Sequence, residues 1–487
     1  MAQSLLHVAE GCLLPGFVGT SAPPWVLRHL EAGLGGAVLF ARNVESSEQV
    51  AALTAQLHAA RPDALVAIDE EGGDVTRLEA ATGSSYPGNL ALGAVDDVAL
   101  TRAVAASLGA ELAAAGIDLD LAPVADVNSN PDNPVIGVRS FGADPDLVAA
   151  HTAAFVAGLQ AAGAGACVKH FPGHGDTSVD SHLDLPVVSG GEAALEIALR
   201  PFRAAIAAGT TAVMTAHLVV PVLDEAPATL SRAVLTGLLR EHLGYGGLVI
   251  TDGIEMAAIR STVGIAEGSV RAIAAGADAI CVGGGLAGEE TVTALAGALA
   301  DAVRDGRLAE ERLAEAAGRV AAAAAWAAGA RGAAAADRAV GMEAARRALR
   351  ATGVVPLASA PVVVELQADA SIAVGAVPWG MGEVLSERDA GVTVLRSDGS
   401  LDPDAVAAEA RGRPLVLVVR DLHRHPRHAA AADAILARRP DAIVVEMGLP
   451  ARRPAGARAF LDTHGAARAS AVAAADLLGG RKERTAQ

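Results

Sequence analysis

Aromatic side chains are scarce: phenylalanine, tyrosine and tryptophan together make up 2% of 487 residues. Positive charge is also short, with a formal net charge of −18 and no basic stripe along the chain. Nucleic-acid binding needs cationic contacts to phosphate and flat rings for stacking, so both shortages argue against a nucleic-acid partner. Long apolar runs are missing too. No stretch reaches the roughly 18 residues that a membrane span requires. The nearest candidate, "VAAAAAWAAGA" from Val320, lies between Arg319 and Arg331 and reads as an alanine-rich helix. Cysteine occurs three times, at Cys12, Cys167 and Cys281, widely spaced. Two of these sit inside apolar runs. The expectation is buried, inert thiols, and an odd count without a pairing pattern fits a reducing compartment. The first residues, "MAQSLLHVAEGCLLPG", have no basic region, and Glu10 interrupts their apolar stretch. A secretory signal is not expected there, and a cytoplasmic location is.

What the chain has in quantity is apolar residues, 52%, much of it alanine. Short apolar runs recur between Ala/Leu-rich helical segments. They are "GCLLPGFVG" from Gly11, "GAVLF" from Gly36, "ALVAIDEE" from Ala64, "IDLDLAPVAD" from Ile117, "ACVKHF" from Ala166, "AVMTAHL" from Ala212, "LVITDGI" from Leu248 and "AICVGGG" from Ala279. Strands alternating with helices imply an α/β fold with a parallel sheet, and eight of them suggest a (β/α)8 TIM-like barrel. A doubly wound sheet shares this periodicity. Polar residues cluster at the carboxyl ends of the runs: Arg42 and Asn43, Asp69, Asp126, Lys169 and His170, His217, Asp252. Barrel enzymes carry their chemistry on that face. A linker, "TGVVPLASAP", then precedes a second α/β pattern with runs at Val362, Ser371, Val392, Pro414 and Ala442. The expected organisation is a catalytic barrel with trailing helices at 1–350, a linker at 351–360, and a smaller doubly wound α/β domain at 361–487. No dinucleotide fingerprint is present in the second domain.

The stretch "KHFPGHGDTSVDSH", Lys169 to His182, holds three histidines, two aspartates and a lysine. His170 and His174 have the i, i+4 spacing of zinc ligands on a helix, but Pro172 and Gly173 between them break a regular helix. Asp180 and His182 are two residues apart. Either an extended segment or an Asx-type bend would put the carboxylate on the imidazole and fix its tautomer. Histidine suits proton transfer near neutrality. An ordinary loop histidine is the plain alternative. Asp252 in "VITDGIEM" ends an apolar run, where a carboxylate is costly to bury without a task or a partner. It suits a nucleophile, a metal ligand or an ion pair. Asp69 and Arg77 in "AIDEEGGDVTRLE", with Arg139 in "NPVIGVRSFGADP", suit a hydroxyl-rich or anionic ligand, or else salt bridges that staple loops.

Together these motifs resemble those of glycoside hydrolase family 3, in order and spacing those of the NagZ-type β-N-acetylglucosaminidases. The resemblance covers roughly residues 5–350. The second domain is similar, at the level of pattern, to the C-terminal α/β domain of longer members. The resemblance implies that Asp252 is the catalytic nucleophile, that His182 is the general acid/base, and that Asp180 is its dyad partner. It implies that Asp69, Arg77, Arg139, Lys169 and His170 hold the terminal N-acetylglucosamine. The implied reaction is retaining and exo-acting on small muropeptide- or chitin-derived glycosides, with no cofactor and no metal. Its alternatives are phosphorolysis to a sugar 1-phosphate, or non-catalytic sugar binding. His174 reads as a structural loop residue. One motif departs from the family's usual D-Q-E-G-G-R-V: here it is D-E-E-G-G-D-V, and Glu70 and Asp74 make the loop more acidic. The oligomeric state is not readable from the sequence.

Overall fold

The computed structural model describes residues 2–188, 190–330, 335–367 and 374–479. Eight parallel strands form the first unit: β1 (Leu13–Pro15), β2 (Gly36–Leu39), β3 (Leu65–Ile68), β4 (Leu119–Asp120), β5 (Gly165–Phe171), β6 (Ala212–Thr215), β7 (Leu248–Thr251) and β8 (Ile280–Val282). Strands β2 to β7 pair in sequence order, β1 pairs with β8, and an Ile250–Ala279 bridge ties β7 to the start of β8. Every position of these eight strands is buried, as parallel strands covered on both faces must be. One apolar cluster takes side chains from all eight strands, among them Leu14, Val38, Leu119, Cys167, Met214 and Cys281. The arrangement is a (β/α)8 TIM-like barrel, with intervening helices such as Ser47–Ala60, Pro145–Ala161 and Ile265–Ala275. Ser46 caps the first of these by accepting from the Gln49 N–H.

Asp278, fully buried just before β8, anchors the barrel's framework. Its carboxylate takes the Val249 N–H and the guanidiniums of Arg240, Arg312 (2.5 Å) and Arg319 (3.2 Å). All three thiols are buried. Burial pushes Cys12 up to about 12 and raises Cys167 and Cys281 as well, so the thiols stay protonated. Among the described residues no helix is long and apolar enough to cross a membrane.

The second unit is a six-stranded sheet made of β9 (Arg350–Thr352), β10 (Val362–Leu366), β11 (Thr393–Ser397), β12 (Leu415–Val419), β13 (Ile443–Glu446) and β14 (Ala459–Asp462). Its order is β11-β10-β12-β13-β14-β9, with β9 antiparallel at the edge. Alternate side chains feed two separate cores: Val362, Val364 and Leu417 on one face, Val363, Val416 and Val445 on the other. That is the doubly wound arrangement, with its reversal between β10 and β12.

The contacts divide the chain differently from the expected boundaries. The second unit begins at Arg338 rather than after residue 350, and it also takes Gly72–Asp97 and Gly137–Arg139. Part of the expected linker is strand β9. Of the strand expected from Ser371, residues 371–373 lie outside the described residues, and Val374–Val377 form no strand. The polar tail from residue 480 also lies outside them.

Candidate active site

At the carboxyl ends of the barrel strands, short contacts gather the polar residues. Lys169, 2% exposed, reaches Asp69 Oδ1 at 2.6 Å and Glu71 Oε1 at 2.7 Å. Lys482 is the only other lysine among 38 basic residues. An ammonium is a compact point charge, which suits one cation shared between two carboxylates better than a planar guanidinium does. Below them Asp120 accepts the Glu70 N–H at 2.9 Å. Burial raises Asp120 well above the usual carboxylate range, and the charges of Glu70 and Asp69 add to this, while the Glu70 N–H and Lys169 oppose it.

The segment after β5 turns sharply. Gly173 has φ +129, and a Cβ on Gly175 would lie 1.9 Å from the Val127 carbonyl oxygen, so only glycine fits there. His170 Nδ1 lies 2.7 Å from Asp126 Oδ2, and Asp126 Oδ1 takes the His174 N–H at 2.6 Å. Burial works to raise Asp126, but the His170 and His174 contacts outweigh it and hold it low. The two His174 nitrogens face Thr177 Oγ1 (2.7 Å) and Ser181 Oγ (3.1 Å), not a metal-ligand set.

Asp180 and His182 meet through an Asx-type bend. Asp180 Oδ1 accepts the His182 backbone N–H at 2.9 Å and lies 2.7 Å from Nδ1. With Nδ1 engaged, Nε2 is the nitrogen through which this ring would exchange a proton with a ligand. Asp180 is itself held low: burial opposes this, and its hydrogen bonds to His182 prevail.

Asp252 follows β7, keeps partial exposure, and accepts the Gly253 N–H at 2.7 Å. Burial alone would raise it. The imidazoles of His170, His217 and His182 bring it down to about 2, so it is ionised throughout the working range. His217 is fully buried, and its Nε2–H donates to the Gly253 carbonyl at 3.0 Å, fixing the tautomer beside Asp252. Glu255 takes the N–H groups of Gly283 (3.1 Å) and Gly284, which secures the loop after β8.

Arg77 and Arg139 belong to the second unit. Arg77 Nη1 donates to the Val374 carbonyl at 3.0 Å, and the Arg139 carbonyl accepts from Asn89 at 2.7 Å. The acidic substitution at Asp74 is neutralised in that unit, where Asp74 accepts from Arg420 and from the Ala466 N–H at 2.7 Å.

Residues 25–323 match the family model described as the glycosyl hydrolase family 3 N-terminal domain. The chain belongs to glycoside hydrolase family 3. A solved family 3 beta-N-acetylglucosaminidase from Paenibacillus sp. str. FPU-7 aligns with 98% of this chain and 96% of its own, with a TM-score of 0.86 and 33% identity. Beta-hexosaminidase A of Pseudoalteromonas piscicida is 36% identical over 315 residues, which are 59% of this chain and 52% of that protein. The matched part thus spans about half of that relative. Beta-hexosaminidase of Alkalilimnicola ehrlichii is 40% identical over 254 residues, 51% of this chain and 73% of the relative.

In this family 3 barrel, sequence reasoning gave no role to Glu71, Asp120 or Asp126. Glu71 sits two residues after Asp69 with a similar charge, and that period-two spacing was the available signal. Asp126 was visible only as a polar strand end. Asp120 lies within an apolar run and carried no signal of its own.

Proposed function

We propose that the chain is a retaining, exo-acting β-N-acetylglucosaminidase that releases terminal N-acetylglucosamine from small glycosides. The observation that carries this reading is the 2.7 Å Asp180–His182 contact, combined with an ionised Asp252 in the field of that same imidazole. In the first step an Asp252 oxygen attacks the anomeric carbon. The glycosidic C–O bond breaks as protonated His182 gives its Nε2 proton to the leaving oxygen, and the aglycone departs as an alcohol. In the second step neutral His182 takes a proton from water. The water oxygen bonds to the anomeric carbon, the Asp252 ester breaks, and both groups return to their starting states. Asp180 favours the imidazolium and holds the ring's orientation.

In this reading Asp69, Lys169 and His170 bind the sugar: the carboxylate accepts from a diol while the cation and imidazole donate. Arg77 and Arg139 are proposed as further sugar ligands by resemblance. Transfer to phosphate uses the same residues, because a neutral histidine base does not repel an incoming anion as a carboxylate would. Product analysis on chitobiose and on N-acetylglucosaminyl-anhydro-N-acetylmuramic acid, with and without phosphate, decides between the two. Free N-acetylglucosamine in both buffers supports hydrolysis. A phosphate-dependent sugar 1-phosphate replaces it with phosphorolysis, and no release from either substrate removes the proposal.

A further inference from the structure

His174 takes no part in the proton transfers above, yet it is 2% exposed and bonded on every side. Its backbone N–H donates to Asp126 Oδ1 at 2.6 Å, on the carboxylate whose other oxygen holds His170. Its carbonyl accepts from Asn133 at 2.9 Å. Its ring lies between Thr177 Oγ1 at 2.7 Å and Ser181 Oγ at 3.1 Å. Ser181 is 3% exposed and is the residue between Asp180 and His182. The Asp180–His182 pair is thereby tied through one ring to the rigid end of β5. The Asx bend fixes the pair internally but does not fix where the pair sits. Among the described residues, the Ser181–His174 contact joins the residue between them to Asp126 and His170.

We infer that His174 is a positioning residue that sets the acid/base pair against the nucleophile by holding Ser181. The titratable groups facing it are Asp126, His170, Asp252 and, beyond Ser181, Asp180. Burial lowers the His174 ring to about 4, despite the opposing charge of Asp126, so this anchor keeps one protonation state where His182 must change its own. An imidazole suits the task because it is planar and carries a polar atom at each end, one for each hydroxyl.

The inference rests on the glycosidase reading, so its test has an arm independent of catalysis. Two variants are compared with the wild type: Ser181→Ala, which deletes one hydroxyl, and His174→Phe, which keeps a ring without polar atoms. A mispositioned acid matters most when the leaving group needs a proton. We expect kcat/KM on chitobiose to fall about ten- to hundredfold in both variants. On the p-nitrophenyl glycoside, whose leaving group is already a weak base, the fall is expected to be much smaller. His174→Gln, which retains a donor and an acceptor, restores part of the loss. In the substrate-free protein, amide exchange at residues 180–183 rises while that of β5 is unchanged. Equal loss on both substrates, or unchanged exchange in the loop, overturns the inference. If the wild type releases no sugar but the variants still loosen the loop, the anchor stands and the glycosidase reading falls.

Discussion

Replacing Asp180 with asparagine isolates the charge of the acid/base pair from its geometry. Asparagine keeps an oxygen able to accept both the His182 N–H at 2.9 Å and the Nδ1–H at 2.7 Å. Only the negative charge is lost. Two unit charges 4 Å apart are worth about 4 kcal/mol at an effective dielectric of 20. The two side chains retain 12% and 19% exposure. Water therefore screens the pair, and about a third to a half of that figure, roughly 1.4–2 kcal/mol, is the reasonable expectation. That corresponds to about ten- to thirtyfold in the balance between imidazolium and imidazole. The sign follows from which form the carboxylate favours. Asp180 stabilises the imidazolium, so with His182 as the proposed proton donor its removal moves the alkaline limb of kcat/KM to lower pH. The assay is kcat/KM against pH on chitobiose for Asp180→Asn and the wild type. Superimposable alkaline limbs would refute the reasoning, because the carboxylate's charge would then have no influence on the proton donor.

Three further outcomes follow from the same contacts. Asp278→Ala leaves three guanidiniums around an empty site and should cost roughly 3–5 kcal/mol by urea denaturation; a loss under about 1 kcal/mol would mean the cluster is locally adaptable. Lys169→Met leaves Asp69 and Glu71 facing each other without their shared cation, so KM for the p-nitrophenyl glycoside should rise at least about tenfold, and an unchanged KM would remove Lys169 from the sugar site. Glu446 in the second unit is pushed by burial, and further by the Asp421 charge, from 4.5 to about 8. A carboxyl raised on folding contributes stability that is complete below its unfolded value and is lost as pH climbs towards 8. Glu446→Gln should accordingly stabilise the protein by on the order of 2–4 kcal/mol at pH 8–9 and by little at pH 4, readable as a pH-dependent rise in Tm; an equal Tm at pH 8.5 would contradict the burial argument.

The eight barrel strands were legible because parallel strands buried on both faces form continuous apolar runs, and polar residues mark their carboxyl ends. Even β4, two residues long, is flanked by enough of "IDLDLAPVAD" to be seen. Strand β9 was not legible: "RAT" is exposed at all three positions and owes its existence to pairing with β14. The same limit governs the site. Asp180 and His182 are close in sequence, and their contact could be anticipated from spacing. Lys169 and Glu71 meet across 98 positions, and Asp126 meets His170 across 44, so only the fold brings these charges together. His174 shows the reverse case. Its i, i+4 spacing from His170 suggested a shared ligand, but Pro172 and Gly173 aim its ring at two hydroxyls instead. The membership of Arg77 and Arg139 in the second unit was hidden because both lie in the sequence between barrel strands.

In the proposed mechanism Asp252 bonds to the sugar. The direct measurement is peptide mapping by mass spectrometry after reaction with a fluorinated N-acetylglucosaminyl fluoride, whose glycosyl–enzyme ester forms faster than it hydrolyses. One sugar per chain is expected, attached within the peptide that contains "VITDGIEM", and no label in Asp252→Asn. A label on another carboxylate, or steady turnover by Asp252→Asn at the wild-type rate, would contradict it.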